Sequence, residues 1–392
     1  MKGQYNMTSS LKKEFKRAYG LNEIALVPSE ATLDIDIVDT SVKIAGLKMQ
    51  IPIFASAMDS VVSPKIAIEL GKYGAVGVLN LEGVQTRYED AEVVLERISS
   101  VNKADYVPLM QKIYKENEVK DELVIKRIKE IKDAGAPVVV SATPQSADRL
   151  GPIAAEAGAD VFVVQSTVVS PKFKTTDEKR KLDLKAFCKS MPIPVMVGNS
   201  TTYDVTKALM ETGVQAVFIG IGPGAACTTR GVLGIGVPMA TSIVDAAAAR
   251  DEYFQETGIY VSIVADGGIV NSGDICKALA CGADAVMIGS PIAKSFEAPG
   301  RGFHWGMATP NAVLPRGARI EVGQVASLKE IMVGPSNSDD GSQNFLGAIQ
   351  TAMATLGAQY IRDLNKTEIV VAPSLLTEGK IYQKAQSLGM YK

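Results

Sequence analysis

One histidine, His304, stands in 392 residues, beside four cysteines: Cys188, Cys227, Cys276 and Cys281. No two cysteines form a C-x-x-C pair, so neither a structural zinc site nor a mechanism needing two histidines has its residues. A Ser-His-Asp triad would have to use His304, which follows no nucleophile elbow. No uninterrupted apolar run reaches membrane-spanning length. The first twenty residues are polar and charged, without the apolar core of a signal peptide, and the expected compartment is the cytosol. Charge of either sign is not in excess: 41 Lys and Arg face 43 Asp and Glu, a net charge of −2 with a pI near 5.8. That balance implies no broad basic surface for nucleic acid, while leaving room for a local phosphate pocket. What is present, 46% hydrophobic and 21% charged residues, suits a globular protein with a sizeable core.

Eight short apolar runs ending in small or polar residues recur along the chain: 51–57, 74–80, 137–142, 159–166, 192–199, 216–222, 261–268 and 285–290. Continuous runs of this kind suit strands buried on both faces of a parallel sheet. Helical segments lie between them, at 62–73, 122–135, 145–157, 203–213 and 272–282, the last with Ser272 as its expected N-cap. Eight such units predict an α/β fold, a single (β/α)8 TIM barrel over residues 1–392; an open doubly wound sheet is the alternative. In a barrel all eight strand ends share one face, where active sites are built. Residues 81–121 form a charge-rich connection with room for one or two helices. Residues 294–341, rich in Pro, Gly, Ser and Asp, are expected to be a loop and flap excursion after strand eight. The stretch 343–362 is expected to be an amphipathic helix.

The strand-six end, GIGPGAACTTR at 220–230, carries the strongest chemical signal. Its glycines permit tight turns and close backbone approach to a ligand, and Pro223 restrains the loop. Cys227 would project into the barrel mouth, where Arg230 and loop amides would favour its thiolate. The bland alternative is a buried structural cysteine. Cys188, Cys276 and Cys281 fall on helices and are expected in the core. The G-x-G-x-G run lacks the spacing of a dinucleotide fingerprint. Asp266-Gly267-Gly268 ends strand seven and Gly289-Ser290 ends strand eight, so a carboxylate suited to a ribose diol adjoins amides free to meet phosphate. The competing reading is that these glycines only make turns.

With those residues in view, the chain resembles the IMP dehydrogenase and GMP reductase family. The Cys227 loop, VADGGI with SGDI at 264–275, IPIFASAMDSV at 51–61 and VGNSTTYDVTKALMETG at 197–213 carry the resemblance, which spans roughly 20–360 in family order. It implies a purine nucleotide over the barrel mouth, attacked at C2 by Cys227, with NAD as hydride acceptor and hydrolysis of the covalent adduct to XMP. Carried over by position, Ser56 and Met58 would line the IMP site. Asp266 would hold ribose, and Gly268, Gly289 and Ser290 phosphate, while Gly306 and Met307 would recognise the base. Asn199, Gly222 and Gly224 would lie near the nicotinamide, and Thr229 would help to activate water. Backbone carbonyls of Gly222, Gly224 and Cys227 are candidate potassium ligands. A homotetramer or octamer is implied as well.

Departures from the family bear on the reaction. Only about forty residues stand where most IMP dehydrogenases insert a paired CBS module, so no CBS domains are expected. Ala225 stands where the family loop has Ser, Gln165 where an acid is usual, and no Arg-Tyr pair is found in the flap. Arg316, ten residues beyond Gly306, is the expected water-activating or water-orienting group, with Arg319 as second candidate and a solvated loop residue as the competing reading of Arg316. GIGVP at 234–238 and Arg316-Gly317 favour the dehydrogenase in guanine nucleotide biosynthesis. GMP reductase is the alternative enzyme, and a nucleotide-binding barrel without catalysis is the third reading.

Overall fold

The apolar runs pair with one another because each buries both faces. The structure, a computed structural model, describes residues 14–176, 182–306, 313–314, 317–372 and 378–389. Eight strands, β1 (Ile53–Ala55), β2 (Val76–Asn80), β3 (Val139–Ala142), β4 (Val161–Gln165), β5 (Val195–Ser200), β6 (Ala216–Ile219), β7 (Ser262–Asp266) and β8 (Ala285–Ile288), close into one parallel barrel in chain order. Val286–Ile288 of β8 pairs back on Ile53–Ala55 of β1. Alternation decides which side chain goes where. On β8, Val286 and Ile288 join the outer cluster under the helices, whereas Ala285 and Met287 fill the interior. Phe54 and Phe218 meet edge to face inside the barrel at 6.3 Å. The doubly wound alternative is thereby replaced by closure.

Around the barrel run α1 (Pro64–Lys72), α2 (Ala91–Ser100), α3 (Tyr106–Glu116), α4 (Asp121–Asp133), α5 (Pro144–Ala157), α6 (Leu184–Ser190), α7 (Tyr203–Met210), α8 (Thr229–Leu233), α9 (Met239–Thr257), α10 (Ser272–Ala280), α11 (Ser290–Ala293), α12 (Leu328–Val333) and α13 (Phe345–Thr355). Local chemistry starts several of them: Ser63 caps α1 ahead of Pro64, and Asp183 accepts the Ala186 N–H at 3.0 Å to cap α6. Helix α10 corrects the expected cap. Asn271, not Ser272, accepts the Asp274 N–H at 3.0 Å, and the helix ends before Cys281 rather than at Gly282. The expected helix over 343–362 is shorter too: α13 stops at Thr355, and Gly357 turns with φ +69° before a 3-10 turn at Ile361–Lys366. None of the helices among the described residues is long and apolar enough to cross a membrane.

Two additions frame the site. A hairpin, Val42–Ile44 paired with Leu47–Met49, puts Ile44 and Met49 in one buried cluster with Val76, Val161, Ala216 and Ala285, the first residues of four strands, and so closes the strand-start end. At the other end, the charge-rich connection forms α2 and α3. Their apolar faces, including Leu95, Ile98, Leu109 and Ile113, enclose the fully buried Trp305 in a separate cluster. The excursion after β8 therefore leans on the excursion after β2.

Candidate active site

A cavity of about 540 Å³ opens where the strands end, within the usual size of a small-molecule site. Ser56 and Met58 beyond β1 line it, with Asp266 and Gly268 at the end of β7 and Gly289 and Ser290 beyond β8. Asn199 of β5 and Gly222, Gly224 and Cys227 beyond β6 share the same cavity, as does Gly306. Eleven of the fourteen residues singled out from sequence thus converge on one space. Thr229 stands just behind the lining, and Met307 and Arg316 lie outside the described residues.

The Cys227 loop is drawn into a turn by its own backbone: the Cys227 N–H donates to the Gly224 carbonyl at 3.0 Å. That bond engages one lone pair of a candidate potassium ligand. The half-buried thiol donates to Thr229 Oγ1 at 3.1 Å. Thr229, buried as the first residue of α8, holds its hydroxyl at the sulfur. Arg230 corrects the expectation that a cation adjoins the thiol. One helix residue further on, about 100° around the axis, its Nη2 donates to the Val237 carbonyl at 2.9 Å. Its stem covers the loop backbone, where a Cβ on Gly222 would stand 2.8 Å from Arg230 Cγ. Arg230 braces the loop rather than the sulfur. The remaining cysteines behave as core residues: burial pushes Cys188 up to about 11, and Cys276 and Cys281 up to about 12.

Asp266 is held by two amides. Asn199 Nδ2 and Gln165 Nε2 both donate to its Oδ2, at 2.7 and 3.1 Å, and Oδ1 accepts no hydrogen bond from the described residues. Burial raises this carboxyl to about 6, against the lowering effect of the two amides. Asn199 also donates to the Gly220 carbonyl at 2.8 Å, which ties Asp266 to the start of the Cys227 loop. Gln165, singled out from sequence only as a missing acid, is therefore a neighbour of the expected ribose carboxylate.

His304 is a site residue that sequence reasoning passed over. Its Nδ1 meets Ser60 Oγ at 3.3 Å, and Ser60 Oγ in turn accepts the Trp305 N–H at 3.0 Å. The other edge of the ring faces the end of β8: a Cβ on Gly289 would stand 2.9 Å from His304 Cε1 and 3.4 Å from Ser56 Oγ. Burial lowers this imidazole to about 4, so it is neutral at pH 7. The available signal was its position two residues before Gly306. No lysine or arginine lines the cavity among the described residues, so a phosphate there would meet amides, hydroxyls and a neutral ring.

The return limb of the excursion after β8 reaches Cys227. Gly317 pairs antiparallel with Cys227, and the Ala318 N–H donates to the Ala226 carbonyl at 3.0 Å. Arg319 is not positioned as a base, contrary to its place as second candidate. Its guanidinium is spent on the carbonyls of Ile98, Ser99 and Val101, and it lies outside the cavity lining.

A half-buried cysteine on a glycine-rich strand-end loop shares one cavity with a carboxylate and glycine-rich strand ends, which defines a small-molecule site at the mouth of an eight-stranded barrel. Comparison with known proteins gives the particular family. Residues 18–380 match the family model described as IMP dehydrogenase / GMP reductase domain, and the chain belongs to that family. A protein of Mycolicibacterium smegmatis named only an uncharacterized oxidoreductase is 38% identical over 365 residues, covering 91% of this chain and 97% of its own. Inosine-5'-monophosphate dehydrogenase of Aquifex aeolicus is 34% identical over 298 residues, 69% of this chain and 58% of that one. The crystal structure of an IMP dehydrogenase/GMP reductase-like protein from Corynebacterium glutamicum superposes with a TM-score of 0.86 at 36% identity, covering 92% and 96% of the two chains. The protein is thus an oxidoreductase of this family.

Proposed function

We propose that the chain is an NAD-dependent IMP dehydrogenase, oxidising IMP to XMP through a covalent adduct on Cys227 and so serving guanine nucleotide synthesis. The observation that carries this reading is the meeting of Cys227, Thr229 and the free oxygen of Asp266 around one cavity. Asp266 would accept the ribose hydroxyls, and the amides at Gly268, Gly289 and Ser290 the phosphate. Gly306 and Met307 would recognise the base, between Ser56 and Met58 on one side and Cys227 on the other. NAD, when bound, supplies the hydride acceptor. Asn199, Gly222 and Gly224 would hold its nicotinamide, and the glycines leave backbone there that a flat ring can approach.

In this reading the Cys227 sulfur adds to purine C2, hydride departs from that carbon, and a thioimidate remains. Water then attacks the same carbon, and the thiolate leaves with the electron pair of the broken C–S bond. Thr229 Oγ1, beside the sulfur, would guide that water. Arg316, the chain neighbour of Gly317, is retained as the group that orients or deprotonates it. Potassium would bind carbonyls of Gly222, Gly224 and Cys227, and a homotetramer or octamer is the proposed assembly. Light scattering and a potassium chloride titration test these two points.

Steady-state assays with IMP and NAD, against GMP and NADPH, test the reaction. NADH formation coupled to XMP supports it. Turnover only of GMP with NADPH assigns the reductase instead, and turnover of neither removes both.

A further inference from the structure

The limb Gly317–Glu321 returns from the flap between two backbone pairings. At one end Gly317 and Ala318 lie against Cys227 and Ala226, and at the other Ile320 and Glu321 pair with His304 and Phe303. The first pairing has little to fix it. Gly317 has no side chain and Ala318 only a methyl group, and a neutral backbone hydrogen bond contributes little net stability.

Arg319 stands between the pairings and is held from outside the flap. Its Nη1 donates to the Ile98 and Ser99 carbonyls at 2.6 and 3.0 Å, and its Nη2 to Val101 at 2.6 Å. These carbonyls belong to the last turn and C-cap of α2, where helix geometry leaves acceptors unpaired and the helix dipole favours a cation. The guanidinium also lies 4.4 Å from the Phe303 ring centre and 5.0 Å from that of Tyr106, at the start of α3. Charge-assisted bonds are roughly twice as strong as neutral ones. A planar fork with five donors can span three carbonyls, whereas an ammonium group on a flexible stem cannot hold all three in one plane. The insertion after β2 thus supplies the carbonyls for the limb's charge-assisted hydrogen bonds.

We infer that Arg319 is a positioning residue for Cys227: fastened to the end of α2, it sets the register in which Gly317 lies against the nucleophile. The role of this nucleophile rests on the proposed reaction, so the test includes readouts that need no turnover. Hydrogen exchange at the Ala318 amide reports its bond to Ala226, and alkylation of Cys227 by iodoacetamide reports what covers the sulfur.

Arg319→Ala is expected to speed both processes while the barrel strands keep their protection. Arg319→Lys, which keeps the charge and most of the stem, is expected to be loosened as well. Free guanidinium, well below unfolding concentrations, should restore the alanine variant, and methylammonium should not. In turnover, kcat should fall about 10- to 100-fold, as small misplacements of reacting groups do, with the nucleotide KM unchanged. If the lysine variant matches the parent protein in Ala318 exchange and Cys227 alkylation, the inference is overturned. Equal slowing of both variants' turnover through KM alone also overturns it. Absence of IMP turnover in the parent protein sinks the proposed reaction, and exchange and alkylation still decide the role of Arg319.

Discussion

Asn199 donates its side-chain amide to Asp266 Oδ2 at 2.7 Å and leaves Oδ1 without a hydrogen-bond partner among the described residues. The pair divides the carboxylate into a fixed half and a working half. If the working half accepts ribose hydroxyls, Asp266→Ala should weaken IMP binding by about one to two orders of magnitude, at 1.5–3 kcal/mol for a charge-assisted bond. Calorimetric titration measures it, and an unchanged affinity would place the ribose elsewhere.

The pH dependence follows from burial raising Asp266 to about 6, above the 3.8 of a solvated aspartate. The folded protein then binds this proton more tightly than the unfolded chain. This group's contribution to stability therefore grows as pH falls through 6 toward 3.8, and is lost as pH rises through 6. Nucleotide affinity runs the opposite way, weakening below pH 6 as the acceptor is neutralised. Asp266→Asn should flatten the acid limb of kcat/KM, and a limb that survives in this variant belongs to another group.

Gln165→Glu replaces one donor to Asp266 with a second carboxylate. Two acids so close cannot both ionise readily, so the proton on Asp266 should be held to higher pH. The expected result is an acid limb displaced toward neutrality, with kcat at high pH little changed. A pH–rate profile superimposable on that of the parent would show that Gln165 does not govern Asp266.

Cys227→Ser should abolish turnover and leave nucleotide affinity intact, because a serine hydroxyl, un-ionised at neutral pH, is a far poorer nucleophile than a thiolate. Mass spectrometry should find a nucleotide adduct on the parent protein during turnover and none on the variant. Near-normal turnover by the serine enzyme would remove the covalent mechanism.

Gly289→Ala should act through His304. The added Cβ would stand 2.9 Å from the imidazole, which is buried and has Ser60 on its far side, so the ring cannot move freely. Overpacking of this kind costs about 1–3 kcal/mol. Both a lower melting temperature and a raised nucleotide KM are expected. A loss of stability alone would separate His304 from the ligand.

The barrel was legible in the sequence because each strand's burial is a local property: Val161–Gln165 or Ala285–Ile288 is apolar whatever its neighbours are. Strand-end residues such as Asp266 and Gly289 were legible for the same reason, since chain order and closure place them together. Cap positions shifted by one residue because Asn271 and Ser272 are both competent caps. The contacts of Arg319 and Gln165 were not legible. Their partners lie 218–221 and 101 residues away, and neither spacing nor composition encodes such contacts. Arg230 was misassigned because proximity in sequence to Cys227 says nothing of the direction a helix gives its side chain.

The insertion after β2 leaves and re-enters the barrel at almost the same point: the Lys120 N–H donates to the Thr86 carbonyl at 3.0 Å. Such a junction is a socket. Whatever chain is spliced between its two lips, a pair of helices or a whole domain, the eight-strand closure needs no rearrangement to admit it. Evolution can exchange the plug while keeping the wall intact, and the plug's own stability is then inherited by the catalytic rim it touches rather than by the barrel beneath.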